Sequence, residues 1–391
     1  MKKKIIYILL ISVLLISAVM VVISEFSEKT PMEETTGDVE TKETSQQTEE
    51  QTTLDVPEET TEDNTVAEIP EYELIIPDIQ SIIGEERGIF ATVMDIAVFN
   101  ERIYAVAKIV GMEQGIKAYK LVSFKPDGSD IQSVELEEPS VKMNDDMAEE
   151  VLIGQDGNIY AVRNYNPSVS WSLWYTGDIH LLSWGTDGTL ISETALEVPD
   201  IDEDKSVQIW TFNVTKEGNI ALLCCSTEGH GSVIHLGKDG SIDEWIEMAQ
   251  DESYTSWWNA NDGTFVSYYG EEVGSTHKYN YYYKTYDIDS RMFSEKVRVL
   301  IPGKMDEYNQ IFGKCTGRNI LILEKDDCFY RHDVGTEEIR LLVNPSSAGY
   351  NNERFRDLIL MDDDILVWSY ENMFDPYDNR VAVLKPKENT P

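Results

Sequence analysis

DGNIYAV, residues 156–162, is a polar turn running straight into an apolar strand, and the phrase recurs along the chain. It returns as NERIYAV (100–106), EGNIALL (217–223), DGTFVSY (262–268), GRNILIL (317–323) and DDDILVW (362–368). Aligned on the first apolar residue, the copies give Ile103, Ile159, Ile220, Phe265, Ile320 and Ile365, spaced by 56, 61, 45, 55 and 45 residues. A second phrase follows the first: LVSFKPDGSDIQSVEL (121–136), HLLSWGTDGTLISETAL (180–196) and VIHLGKDGSIDEWIEM (233–248). Looser forms are YKTYDIDSRMFSEKVRV (283–299) and YRHDVGTEEIRLLV (330–343). Apolar residues flank an Asp-Gly pair in the first three, and Asp-Gly supplies the positive φ angles of tight hairpin turns. Each repeat therefore reads as four antiparallel strands, A to D, with tight A–B and C–D turns. No 3.6-residue periodicity is sustained after residue 90.

Four-stranded units repeating every 45–60 residues indicate a β-propeller. The sixth repeat reaches its third strand at RVAVLKPK (380–387) and has no fourth. YELII (72–76) is strand-like and has no repeat of its own. Pairing these two segments would leave no open sheet edge. The expected fold is all-β: a six-bladed propeller over residues 71–391, closed by an N-terminal strand. The DGNIYAV phrase, followed by a strand ending in a D-G turn, resembles bacterial extracytoplasmic six-bladed propellers of the NHL-repeat and TolB-like kind. The resemblance covers roughly residues 72–391 and concerns blade geometry. It implies no single activity, because that fold hosts lyases, lactonases, hydrolases and pure binding proteins.

The first 70 residues read differently. Lys2, Lys3 and Lys4 precede an apolar run from Ile5 to Ile23. A helix of that length spans about 28 Å, close to a bilayer's hydrocarbon thickness. Residues 1–26 are expected to be a signal-anchor crossing the membrane through residues 5–23, with the lysines inside and the rest outside. A cleaved signal peptide, giving a secreted protein, is the alternative. Residues 27–70 hold 11 threonines and 14 acids against Lys29 and Lys42, with no aromatic, and are expected to form a disordered, self-repelling tether.

The chain carries 72 acidic and 32 basic side chains, a net charge of −40. The first 26 residues contribute +2 and the tether −12, which leaves −30 on the propeller. This balance excludes a nucleic-acid binder, whose affinity comes from Lys and Arg patches that release counterions. It favours neutral or cationic partners. Four cysteines are too few for a disulfide scaffold in 391 residues. Cys315 and Cys328 are expected on strands A and C of the fifth repeat, too far apart to bridge.

Strand order places the long insertions at the B–C loops and D–A connections, on one face of the ring. The second repeat inserts NYNPSVSWSLWYTG (164–177), with Tyr165, Trp171 and Trp174; the fourth inserts YGEEVGSTHKYNYYYK (269–284), with Tyr269, Glu271 and His277. The sixth carries YENMFDPYDN (370–379), with Tyr370, Phe374 and Tyr377. Long loops on a rigid scaffold are where binding residues concentrate, and aromatic faces beside carboxylates suit a glycan, peptide or protein ligand. The competing reading is packing, above all for Tyr281 and Tyr283 on strand C.

No Walker loop, zinc-helix motif or G-x-S-x-G elbow is present, and no catalytic residue is assigned. His230 lies between glycines, without a nucleophile or an orienting acid in view. His180 and His235 are read as one repeated position. Asp200, Asp202 and Asp204 resemble the opening of a Ca2+ loop, but Lys205 stands where glycine is needed and Thr211 where glutamate is. Only an irregular Ca2+ site fits there, and no other cofactor is expected. The reading is an extracytoplasmic recognition module. The alternatives are a metal-assisted hydrolase or lyase, and a structural surface protein without a small ligand.

Overall fold

The computed structural model describes residues 72–79, 89–111, 115–141, 148–165, 173, 175, 178–197, 207–226, 231–248, 257–259, 263–272, 279–300, 310–312, 314–315, 320–325, 328–333, 336, 339–344, 353–361, 365–372 and 375–387. All belong to one compact unit, Val66–Pro391. The expected anchor (1–26), the expected tether (27–70) and Asp200, Asp202 and Asp204 lie outside the described residues. Among the described residues no helix is long and apolar enough to cross a membrane.

The chain enters through β1 (Tyr72–Ile75). Sheet one holds β2 (Ile89–Phe99), β3 (Arg102–Gly111), β4 (Gly115–Phe124) and β5 (Gln132–Glu135). Sheet two holds β6 (Ala148–Ile153), β7 (Ile159–Asn164), β8 (Ile179–Trp184) and β9 (Leu190–Ala195). Sheet three holds β10 (Val207–Val214), β11 (Ile220–Ser226), β12 (Gly231–Leu236) and β13 (Ile242–Glu247). Sheet four has β14 (Trp257–Asn259), β15 (Thr264–Glu272) and β16 (Tyr279–Asp287), its outer edge split into β17 (Met292–Phe293) and β18 (Val297–Val299). Sheet five begins with β19 (Gln310–Phe312); the next strand, β20 (Lys314–Cys315), leaves it. The sheet continues with β21 (Ile320–Lys325), β22 (Cys328–Asp333) and β23 (Ile339–Val343). The last sheet is composite: β24 (Glu353–Leu360), β25 (Leu366–Asn372) and β26 (Asp375–Pro386) are flanked by β20 and β1. Within each sheet the consecutive strands run antiparallel; β20 instead pairs parallel with β24.

The two middle strands of a sheet are covered on both faces, so they carry continuous apolar runs instead of alternation. All six residues of β7 and of β12 are buried, whereas the outer strands β9 and β13 have no buried residue. Each sheet shares a core with the next. Val106 and Leu121 meet Ala161 and Leu182 between sheets one and two. Leu152 and Leu181 meet Phe212 and Leu222 between two and three. Leu223 meets Phe265, and Val266 meets Leu323, at the next two boundaries. Phe329 packs on Trp368, and Val367 and Val383 pack on Ile96 and Ile103, which brings the last sheet onto the first. The innermost strands follow the same order: β2 neighbours β6, then β10, β14, β19 and β24 succeed one another, and β24 returns to β2. The architecture is an all-β propeller with four-stranded antiparallel blades.

The expected closing strand is present. β1 pairs antiparallel with β26, Tyr72 opposite Pro386 and Ile75 opposite Val383. It supplies the outer strand of the last sheet, so among the described residues that sheet combines the C-terminal strands with β1 and the short β20.

The Asp-Gly turns also form, although they are longer than two-residue hairpins. In the 125–129 turn Gly128 N–H donates to Lys125 O and Lys125 N–H to Ser129 O, with the Asp127 carboxylate accepting from Ser129 N–H. Gly188 and Gly240 repeat this geometry with a further role. At Gly188 φ is +83°, and a Cβ there would strike Glu135 O of the preceding sheet. Glu137 N–H donates to Gly188 O at 2.9 Å, and the Glu137 carboxylate accepts from Leu190 N–H. Glu197 makes the same two bonds to Gly240 and Ile242. A Leu-Glu pair after each of these two outer strands thus clamps the next sheet's C–D turn.

Two expectations change. Cys315 does not share a sheet with Cys328, because β20 crosses to the last sheet. Cys224, Cys225 and Cys328 are free thiols. His180 and His235 are not one repeated position: His180 lies four residues before Trp184, the partner of Ile159, whereas His235 lies one before Leu236, the partner of Ile220. The true counterpart of His235 is His332, one before Asp333, the partner of Ile320.

β1 covers the edge of β26 that would otherwise be open. Removing residues 72–79 exposes the edge of β26 and is expected to lower the urea midpoint clearly. An unchanged midpoint would show that closure does not depend on this strand.

Candidate functional site

The boundary of sheets one and two changes character toward the face that carries the long loops. At the turn end it is apolar. Four residues further on it becomes a buried polar lattice. Glu149, second in β6, pairs across the strands with Arg163 of β7, and Arg163 pairs with His180 of β8. The facing strands bring Lys108 and Tyr119, themselves a cross-strand pair. The Glu149 side chain is 3% exposed and the Arg163 side chain 1%, with Nε to Oε2 at 3.1 Å. Lys108 Nζ reaches Glu149 Oε1 at 2.7 Å, and Tyr119 Oη donates to the same carboxylate. The Arg163 guanidinium lies 4.5 Å from the centre of the Tyr119 ring and 5.3 Å from that of Trp184.

The electrostatics follow from this packing. Burial pushes the Tyr119 phenol far above its ordinary value, and the charge of Glu149 adds to the shift. Burial works against the Arg163 cation, but Tyr119, Glu149 and Tyr165 more than offset it and hold the guanidinium charged. Around this centre His180 stands edge-on to Tyr165, 5.2 Å between centroids, and 3.7 Å from Glu193. Burial alone would raise the Glu193 carboxyl, yet bonds from Ser140 and Val141 and the proximity of His180 bring it below its usual range. The lattice therefore fixes both the D–A connection at Ser140 and the base of the second repeat's long loop at Tyr165.

That loop is held at its far end too. Tyr165 N–H donates to Asp178 O at 3.0 Å. Within the loop, Ile209 N–H donates to Leu173 O at 2.8 Å and Tyr175 N–H to Val207 O at 2.7 Å. Val207 and Ile209 belong to β10, the innermost strand of sheet three, and these are the groups that point away from β11. Leu173 and Tyr175 are buried in the core of sheets two and three. The loop crosses a sheet boundary and caps the axial edge of β10.

The expected site residues distribute unevenly around this frame. Tyr165 is only 7% exposed and packs in the lattice, so it supports the loop. Trp171, Trp174, His277 and Phe374 lie outside the described residues. Tyr370 and Tyr377 fall on β25 and β26, the former paired with Arg380. Tyr269 and Glu271 lie on β15, but a cation of the protein itself is already there. Lys296 Nζ sits 2.6 Å from Glu271 Oε1 and 4.6 Å from the Tyr282 ring centre, and Tyr282 stacks on Tyr269. Tyr283 is buried packing. Among the described residues no group of three or more His, Cys, Asp or Glu side chains could hold a metal. An open cavity of about 230 Å3 lies on the turn face between Arg102, Tyr104, Leu121, Ser123 and Thr186; Arg102 is bound there to Asp130 at 2.6 Å.

No family model matches the chain, and no curated protein matches it. Solved structures of similar form include the β-propeller domain of the Trilobed protease from Pyrococcus furiosus, 10% identical, TM-score 0.38, over 76% of this chain and 83% of that one. A protein of unknown function from Dyadobacter fermentans is 11% identical with TM-score 0.44, over 82% and 100%. The GH93 α-L-arabinofuranosidase of Fusarium graminearum, solved with arabinobiose, is 11% identical with TM-score 0.43, over 81% and 96%. At such identities the likeness is one of fold, and it assigns no chemistry to this chain.

Two measurements test the lattice and a pair of buried histidines elsewhere in the fold. Glu149→Leu strands the Arg163 charge and is expected to cost about 3–5 kcal/mol in urea unfolding, most of it recovered in the Glu149→Leu, Arg163→Met pair. The second concerns His235, bonded to Tyr286 Oη at 2.6 Å, and His332, bonded to Tyr268 Oη at 2.5 Å. Burial holds both rings below the ordinary histidine value. Unfolded histidines take up protons near pH ~6.5 while the folded rings stay neutral, so stability is full above that pH and falls as pH drops toward the lower folded value. Urea midpoints measured between pH 7.5 and 5 should decline, and less steeply in His332→Gln.

Proposed function

We propose that this chain is a six-bladed β-propeller held outside the cell by an N-terminal membrane anchor, where it binds a glycan, peptide or protein through the face bearing its long loops. Six hydrogen-bonded sheets and the cyclic order of their innermost strands support the blade count. The lysine-flanked apolar run from Ile5 to Ile23 and the acidic tether support the address. One observation carries the binding role: the second long loop is tied to the axial edge of β10 through Leu173 and Tyr175. Backbone positions fixed before a ligand arrives, as at Leu173 and Tyr175, lower the entropic cost of association.

The acidic propeller repels polyanions and draws neutral or cationic partners. A glycan array and a peptide library probed with the whole chain should give saturable binding. Trp171→Ala and Tyr377→Ala should each weaken it by about tenfold, the scale of one aromatic contact, while the thermal midpoint stays put. Unaltered binding in both variants rejects this face.

A further inference from the structure

β10 contains a large apolar side chain that its surroundings leave uncovered. Val207, Ile209, Phe212 and Val214 enter the core shared with sheet two. On the other face, Asn259 Nδ2 of sheet four donates to Thr211 Oγ1 at 2.8 Å, and Asn213 Nδ2 donates to Thr264 O at 3.2 Å. One edge is bonded to β11. Leu173 and Tyr175 cap the axial edge at Val207–Ile209. Trp210 follows directly. The register slips there, Ile209 opposing Cys224 and Thr211 opposing Leu223, so Trp210 is skipped in the pairing with β11. It is fourth in a strand of eight residues and still 40% exposed. Gln208 and Thr211 on either side of this point are only half-buried, so the packing of β10 is incomplete at Trp210, one residue beyond the bond from Ile209 to the capping loop. Bulges re-aim side chains in this way. The same slip occurs in β2 between Val93 and Asp95, at the same distance from the A–B turn, and in β24 between Phe355 and Asp357, one residue further from it.

We propose that the exposed Trp210 indole on β10 is a binding platform for a cationic group, an alkylammonium or guanidinium carried by a peptide. This rests on the binding-module reading and gives it a ligand class. Indole presents the strongest face for a cation among the aromatic side chains. The −30 charge of residues 71–391 concentrates cations and excludes anions. The protein already uses this chemistry with Lys296 over the Tyr282 ring.

The test uses the full chain in detergent, its eight tryptophans replaced by 5-fluorotryptophan and followed by fluorine NMR. The Trp210→Phe variant assigns the Trp210 resonance. Tetramethylammonium, at constant ionic strength against sodium, and tetralysine are the cationic probes; cellopentaose is the neutral one. The expected result is a saturable shift of the Trp210 resonance with both cations and not with cellopentaose. Tetralysine affinity should fall at least tenfold in Trp210→Ala, or about threefold in Trp210→Phe if the alanine variant does not fold. A Trp210 resonance that ignores both cations overturns the proposal, and so does one that moves with cellopentaose alone. If tetralysine binds while Trp210 stays still, the binding-module reading survives and this site does not. If the Trp210 resonance answers only to the cations but no array or library member binds, the site survives and the loop-face reading fails.

Discussion

A sheet apolar on both faces can leave water only by lying between two others, and the last sheet in a row has no second neighbour unless the row bends back on itself. In this chain that requirement is met by the core in which Val367 and Val383 pack on Ile96 and Ile103. Every other boundary joins sheets adjacent in sequence; this one joins the two ends. The short strand Tyr72–Ile75 makes it durable, since without it β26 would be an outer edge offering unpaired backbone groups to solvent and to other chains. The entropy of closing the ring is offset across roughly three hundred residues by contacts that only a few residues at each terminus supply.

Neighbouring sheets are held by two kinds of tie at opposite faces. On the turn face the tie is main-chain: Glu137 and Glu197 each receive the following sheet's turn at a glycine that no other residue could replace without striking a carbonyl oxygen. On the loop face it is ionic, the lattice of Glu149, Arg163, Lys108 and Tyr119. A buried ion pair contributes little net stability over well-packed apolar residues. Its value here is positional. The lattice fixes the take-off of a long loop, and an apolar contact would fix it less tightly, because apolar contacts lack direction.

The features readable from the sequence were the local ones. Turn glycines, the first apolar residue of each middle strand and the orphan strand YELII all announce themselves within a few residues, because a turn's chemistry depends on its own side chains. The Leu-Glu clamp left a local mark as well, in SVELEEP and ETALEVP, where a glutamate succeeds the last apolar residue of an outer strand. The lattice was not legible. Glu149 and Arg163 are 14 residues apart, and Lys108 and Tyr119 lie on another sheet, so their meeting depends on two registers and on how two sheets face one another. The composite sheet hid Cys315 for the same reason. Trp210 left a trace: in VQIWTFNV the buried positions change parity, from Val207 and Ile209 to Phe212 and Val214, and a parity change within one strand is the signature of a bulge.

Regularity is also uneven around the ring, and the unevenness bears on function. Sheets one to three each keep four unbroken strands and carry both the clamps and the lattice, whereas sheet four has a split outer edge and sheet five gives up part of its innermost strand to its neighbour. The capping segment at Leu173–Tyr175 and the open indole of Trp210 both belong to the regular half. A contact residue is useful only if its position is fixed before the ligand arrives. The three ordered sheets provide that fixity, and the bulge in β10 interrupts their order at Trp210. An interruption in the best-braced part of a scaffold is harder to attribute to relaxed packing than one in its frayed part, which is why Trp210, and not the exposed Met292 or Leu341 of the irregular half, is the side chain to which a binding role attaches.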